Sequence, residues 1–198
     1  MEFWDKIARV YDIAQAVNGK VKAEMARLTA ELIPDGARVL DTAAGTGVLT
    51  VAAAERASEV VCTDLSLPML DKARAKAQKL GLSNIRFEAR NIFALEDEDE
   101  SYDVTMAGNV LHLLAAPEEA VKELCRVTKK GGLIILPTYM LGRKNGFVEL
   151  YKKFGFEPSV NYSPQRYRRM LEECGCGPVK ARLIKGIIPC CFAVIKKV

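Results

Sequence analysis

No apolar stretch in the 198-residue chain approaches the roughly 20 residues that a membrane-spanning helix needs. The opening residues, Met1-Glu2-Phe3-Trp4-Asp5, lack the basic start and apolar run of a secretory signal, so a cytoplasmic location is expected. No segment repeats. Nowhere do basic and aromatic residues interleave as in a nucleic-acid module, so no nucleic-acid partner is expected. Histidine occurs once, as His112. The six cysteines stand in unlike contexts rather than at framework spacings, and in a cytosolic chain they are expected to be reduced. Cys174-Gly-Cys176 and Cys190-Cys191 match no common zinc pattern. A soft metal would bind only if the two pairs met in space; buried thiols are the preferred reading, and no metal is expected.

What is present is the composition of an ordinary single-domain globular protein, 49% hydrophobic and 27% charged. The net charge of +4 is unevenly spread: residues 139–198 hold 12 Lys and Arg against 4 Asp and Glu, and residues 1–138 hold 17 against 21. The basic last third is either a solvated face or a surface that attracts an anionic substrate, a membrane or nucleic acid, the last disfavoured by the missing basic-aromatic pattern. The acidic run Glu96-Asp97-Glu98-Asp99-Glu100 reads as a solvated loop.

Between residues 37 and 138, short β-type runs alternate with helix-type stretches. Strands are read at 38–41, 59–64, 84–88, 102–106 and 132–136, and such alternation makes a parallel sheet covered on both faces. One helix is marked by Ser66 as cap, Pro68 in the first turn, Leu70, Ala73, Ala77 and Leu80 at helical spacing, and Gly81 as stop. A second starts near Pro117, Glu118 and Glu119 and stops at Lys129-Lys130-Gly131-Gly132. A third opens at Ser163-Pro164 with Tyr167, Met170, Leu171 and Cys174 facing inward. Two last strands, around 179–185 and 187–195, are expected to pair as a hairpin joined at Gly186. The expected fold is α/β: a Rossmann-like, seven-stranded, mostly parallel sheet with helices on both faces and an antiparallel C-terminal hairpin.

The first strand runs into Asp41-Thr42-Ala43-Ala44-Gly45-Thr46-Gly47 and then an alanine-rich helix. Small residues let a ligand approach the backbone, and a helix N-terminus offers free N–H groups. Asp64 closes the second strand 23 residues after Asp41, about where a carboxylate grips ribose hydroxyls in nucleotide folds. A dinucleotide fingerprint would need a third small residue where Thr50 stands. Asp41 would also oppose a pyrophosphate, so a positively charged ligand without phosphates is favoured.

These residues, together with Ser101-Tyr102-Asp103-Val104 and Arg126-Val127-Thr128-Lys129-Lys130-Gly131-Gly132, resemble class I S-adenosylmethionine (SAM)-dependent methyltransferases over essentially the whole chain. The nearest subgroup is the small-molecule type related to quinone-biosynthesis methyltransferases, whose opening segment is similar to Ile7-Ala8-Arg9-Val10-Tyr11-Asp12. The resemblance implies SAM as cofactor, S-adenosylhomocysteine as product and a small-molecule methyl acceptor. It implies a single domain over 1–198, with a helical cap at 1–35, the SAM-binding core at 36–138, an acceptor lid at 139–163, and a helix with the hairpin at 164–198. A homodimer is compatible with it.

Residue by residue, the resemblance puts Asp41 and the backbone of Ala43, Gly45, Thr46 and Gly47 beside the methionine end of SAM, and Asp64 with Leu65 at the ribose. It puts Asn91 against the adenine amine, Ile92 on the ring, the Asn109 carbonyl near the ammonium, and Tyr11 over the pocket. Two positions depart from the family's pattern: Ala43 stands where Gly is usual, and Asn91 where Asp is frequent. If residue 43 is left-handed, alanine there costs roughly 1 kcal/mol.

Methyl transfer needs a base only when the acceptor arrives protonated, and His112 is then the candidate catalytic residue, with structural hydrogen bonding as its alternative. Tyr11 and Tyr139 are weaker candidates. Residues 139–162 combine Phe147, Tyr151, Phe154, Phe156 and Tyr162 with Lys144, Lys152 and Lys153, which suits an anionic aromatic or amphiphilic acceptor unless the stretch packs on itself. Arg166, Arg168 and Arg169 read either as part of a basic rim or as solvated cations. Two other functions stay open: a SAM-binding regulatory or interaction protein without catalysis, and a nucleotide-dependent oxidoreductase, which Asp41 and Thr50 disfavour.

Overall fold

A computed structural model describes residues 18–140 and 159–198. In chain order the elements are α1 (Gly19–Leu32), β1 (Arg38–Thr42), α2 (Val48–Ala54), β2 (Glu59–Asp64), α3 (Leu67–Lys79), β3 (Ile85–Ala89), β4 (Tyr102–Met106), a 3-10 turn (Leu111–Leu113), α4 (Pro117–Val127), β5 (Thr128–Tyr139), α5 (Pro164–Glu173), β6 (Val179–Ile184) and β7 (Cys190–Lys196). They build one sheet of order β3-β2-β1-β4-β5-β7-β6. The first five strands are parallel, and β7 runs antiparallel to both of its neighbours. The chain winds outward from β1 to β3 and then returns to place β4 on the other side of β1, so the loops after β1 and β4 diverge and open a crevice at the carboxyl ends.

The central strands are apolar on both sides because helices cover both faces. Val39 packs with Val21, Met25, Leu49 and Ala53 on the side of α1 and α2. Its neighbour Leu40 packs with Val121, Leu124, Tyr167 and Leu171 on the side of α4 and α5. Helix α4 shows why its residues form a helix here: Pro117 sits at its start, Glu118 and Glu119 favour the positive end of the dipole, and Ala120, Val121, Leu124 and Val127 make one buried stripe. Ser163 caps α5 by accepting the Arg166 N–H at 3.2 Å. Ser66 holds the cap position of α3 without a side-chain capping bond. No helix among the described residues is long and apolar enough to cross a membrane.

The expected elements are present, with two changes. Strand β5 begins at Thr128, directly after α4, and its pairing with β4 shifts register between Tyr102 and Val104. The last two strands are not joined at Gly186 alone but by Lys185 to Pro189, so residues 187–189 lie outside the ladder. Pro189 has no N–H to give a ladder, and Ile188 is drawn under α1, where Asn18 Nδ2 donates to its carbonyl at 2.8 Å. Gly186 serves close approach instead: a methyl group on it would lie 2.2 Å from Val21 Cγ2. Gly186→Ala is therefore expected to push α1 off the hairpin and cost about 1–3 kcal/mol, read as a lowered Tm. Gly19→Ala, where a methyl would meet nothing within 4 Å, should leave Tm unchanged or higher.

Candidate functional site

Three loops at the carboxyl ends of the parallel strands, with α1 at one side, enclose a cleft of about 1100 Å³ counting its open mouth. The loop after β1 is the tightest. Ala43 (φ 49°), Gly45 (φ 55°) and Gly47 (φ 72°) all have left-handed backbones, so the alanine at 43 carries the strain that the sequence made conditional. Gly47 does not line the cleft; a methyl on it would lie 2.8 Å from Ala73 Cβ, because α3 packs directly on the loop. From the same helix, Lys76 Nζ donates to the Thr46 carbonyl at 2.5 Å.

Asp41 stands next to last in β1 and is 1% exposed. Its Oδ2 accepts the Thr50 hydroxyl at 2.5 Å, while its Oδ1 has no hydrogen-bond partner among the described residues. Burial pushes its pKa up to about 7; the Thr50 bond opposes that shift, and the charge of Asp64 adds to it. Asp64, at the end of β2, is aimed by two backbone N–H groups, Gly45 donating to Oδ2 at 2.8 Å and Ser66 to Oδ1 at 2.9 Å. Beside it Leu65 is 55% exposed at the cleft edge.

The loop after β3 supplies the opposite lip. Asn91 Oδ1 accepts the Phe93 N–H at 3.1 Å, an Asx turn that presents Phe93, 38% exposed, to the cleft while Ile92 is buried. After β4, Asn109 is left-handed at φ 56° and donates its N–H to the Pro137 carbonyl at 2.7 Å. Its side-chain Oδ1 is buried without a hydrogen-bond partner among the described residues.

Of the residues singled out in the sequence, Asp41, Ala43, Gly45, Thr46, Asp64, Leu65, Asn91, Ile92 and Asn109 all line the cleft. Tyr11 lies outside the described residues, as does most of the segment expected to form the lid. His112 is 3% exposed on the 3-10 turn and is not part of the lining; burial pushes its pKa down to about 4, so the ring is neutral at physiological pH. Tyr139 does line the cleft. The sequence reasoning missed Lys22, Met25, Met69, Phe93 and the pair Leu113 and Leu114. Phe93 had a signal, since it follows two residues already assigned, but the residues from α1 had none without the tertiary fold.

Two cations expected at a rim are engaged within their own helix, Arg168 with Glu172 at 2.7 Å and Arg169 with Glu173 at 2.8 Å. Cys190 and Cys191 alternate into opposite faces of the sheet, and no group of three candidate metal ligands comes together among the described residues. The acidic run is not simply solvated either: Asp97 turns inward to accept from Tyr102 at 2.8 Å and Arg90 at 2.6 Å.

Around Asp41 and Asp64 the cleft offers acceptors, two carboxylates and an amide oxygen, next to exposed apolar side chains; Lys22 and Arg90 also line it, the charge of Arg90 being held by Glu88 and Asp97. It suits a ligand that carries positive charge, donates hydrogen bonds and has one flat apolar part, and it disfavours phosphates.

A family model described as a methyltransferase domain matches residues 33–175. A phosphatidylethanolamine N-methyltransferase of Cereibacter sphaeroides is 31% identical over 148 residues, covering 73% of this chain and 72% of that protein. A demethylmenaquinone methyltransferase of Mycobacterium sp. (strain KMS) is 28% identical across 93% of this chain and 81% of its own length. In structure, a SAM-dependent methyltransferase of Thermotoga maritima superposes with a TM-score of 0.76 at 18% identity, covering 99% of this chain and 98% of that one.

Two substitutions test the geometry without any ligand. Ala43→Gly removes the left-handed strain and should raise Tm by about 2–4 °C, the response to about 1 kcal/mol in a chain of this size. Asp41 has a folded pKa above its unfolded value, so its contribution is favourable at low pH and is lost as pH rises from about 4 through about 7. Asp41→Asn should therefore match the wild type in stability near pH 4 and exceed it increasingly toward pH 8, as measured by urea unfolding. A gap that does not change with pH would show that Asp41 ionises at no cost.

Proposed function

The chain belongs to the methyltransferase domain family as a class I SAM-dependent methyltransferase, and we propose that it moves the methyl group of SAM to a small, amphiphilic or aromatic acceptor by in-line displacement. The observation that carries this reading is the bare Oδ1 of the buried Asp41 carboxylate on the cleft wall, an acceptor waiting for a cation. The acceptor-rich residues of the cleft fit SAM, which has an ammonium, a sulfonium, ribose hydroxyls and an adenine but no phosphate.

When bound, SAM supplies a methyl carbon already activated by its sulfonium, so the chain's work is to bind, orient and keep water out. Asp41 Oδ1 and the carbonyl of Asn109 receive the ammonium, above the small-residue backbone of Ala43 to Thr46. Each oxygen of Asp64 accepts a backbone N–H, which aims the carboxylate at the two ribose hydroxyls. Leu65 and Ile92 flank the adenine, with Phe93 at its outer edge. Asn91 Oδ1 accepts from Phe93 and still has a lone pair for the adenine amine, so the exchange of Asp for Asn removes a charge and not the acceptor.

The apolar side chains Met25, Leu49, Val110, Leu113 and Leu114 face the same cleft and exclude water from the transferring methyl. They also favour an acceptor with apolar surface, and the two curated relatives are named for phosphatidylethanolamine and demethylmenaquinone, both amphiphiles. No nucleophile of the chain is needed. His112 would act as a base only after its turn rotated the ring into the cleft; its burial outside the lining supports a packing role, and Tyr139 is the hydroxyl in place.

S-adenosylhomocysteine should raise Tm where NAD and NADP do not. Incubation with methyl-labelled SAM and a lipid-containing metabolite extract should label a product that disappears with Asp64→Ala. Stabilisation by NAD would defeat the cofactor assignment, and binding without any labelled product would favour a non-catalytic SAM-binding protein. Because a cation favours ionised Asp41, SAM affinity should rise with pH through about 7. At pH 6, one unit below that value, binding should be about tenfold weaker than at pH 8. Asp41→Asn should lose this slope, as read by calorimetry.

A further inference from the structure

The loop that carries Asn91, Ile92 and Phe93 is held from behind by a residue that is not itself part of the cleft lining. Arg126, in the last turn of α4, places all five of its guanidinium N–H donors on acceptors. Nε and Nη2 grip Glu123, three residues earlier on the same helix, at 2.9 and 2.8 Å. The second Nη2 donor reaches the Leu95 carbonyl at 2.9 Å, and the Nη1 donors reach the Asp97 carbonyl and Asp99 Oδ1, both at 2.8 Å. Three of the five bonds thus end on residues 95–99.

Glu123 completes the clamp, because its Oε1 also accepts the Leu95 N–H at 2.9 Å. Asp97, fixed by Arg126 at its backbone, uses its carboxylate to hold Arg90 and Tyr102, so the loop is gripped at both ends. Burial, then the bond to Asp97, pushes the Tyr102 pKa above the ordinary phenol value, which keeps that hydroxyl a donor. Between the two grips, Ile92 and Leu95 sit in the core against α4 residues Val121 and Leu124. Few conformations of residues 91–94 are compatible with both anchors.

We propose that Arg126, oriented by Glu123, is a positioning residue for adenosine recognition: it sets the register of residues 90–97 so that Asn91 and Ile92 meet the adenine edge. The inference rests on the placement of adenine against Asn91 and Ile92 under the proposed function. Lysine cannot substitute, since one ammonium with three donors does not reproduce a planar fork that spans two carbonyls and two carboxylates.

The test compares affinity for S-adenosylhomocysteine with affinity for S-inosylhomocysteine, in which the adenine amine is replaced by a carbonyl oxygen and N1 carries a proton. The wild type should prefer the adenine compound. Arg126→Lys, and Glu123→Gln as a second variant should the first fail to fold, are expected to shrink that preference by about fivefold, the scale of one neutral hydrogen bond. KM for SAM should rise while kcat at saturating SAM stays within a factor of about two. Amide exchange at residues 92–97 should accelerate in both variants. A lowered Tm with an unchanged base preference would reduce Arg126 to a purely structural residue and overturn the proposal. Wild-type protein that binds neither compound would instead defeat the SAM-site reading, and wild-type protein that binds both equally would defeat the adenine placement.

Discussion

A carboxyl group that is almost fully enclosed, with one oxygen satisfied by Thr50 and the other without a partner among the described residues, sets the conditions for everything around it. Ionised, Asp41 costs free energy that the fold by itself does not return. The surrounding backbone relieves it only in part: a hydrogen bond from the Thr50 backbone opposes the upward shift, while the Gly45 N–H goes to Asp64 and the Gly47 N–H to the Ala44 carbonyl. Selectivity for a cation over a phosphate follows from that arrangement. The same loop shape that exposes its amides to pyrophosphate in dinucleotide folds here spends them internally.

Each wall of the cleft is braced by an element that does not line it fully. The loop after β1 is backed by α3, whose Ala73 leaves room for Gly47 and whose Lys76 reaches Thr46. The loop after β3 is backed by α4 and β4, and the loop after β4 is tied to the end of β5 through Asn109 and Pro137. Helices on both faces of the sheet thus converge on one crevice, with chemistry carried by short connections and precision by regular elements.

The alternation of strand and helix made the architecture readable, since a parallel sheet with two covered faces leaves that pattern in hydrophobicity. The cleft-lining acids Asp41 and Asp64 were readable because they stand at the carboxyl ends of strands, where geometry and chemistry coincide. Other features hid for physical reasons. Arg126 and Asp97 lie far apart in the chain, and nothing in a run of five acids says that one of them turns inward. Lys22 and Met25 reach the cleft only because α1 docks beside it. Gly186 looked like a turn residue, while its requirement is steric and comes from Val21. At His112 the side-chain type suggested chemistry or structural hydrogen bonding, and only the fold shows that the 3-10 turn buries it outside the cleft lining.

The place of β7 has a bearing on how the chain is made. Residues 190–196 lie between β5 and β6, pairing with Leu133 to Tyr139 on one side, so β5 keeps a bare apolar edge until a segment more than fifty positions later has been synthesised. The Asn18 to Ile188 bond, spanning 170 residues, closes just as late. A nascent chain arrested before this point presents an open strand edge, the template for intermolecular pairing, to its neighbours in the polysome. Chaperone dependence during translation and recovery from inclusion bodies should thus be governed by this final strand rather than by the crevice that the molecule is built to hold.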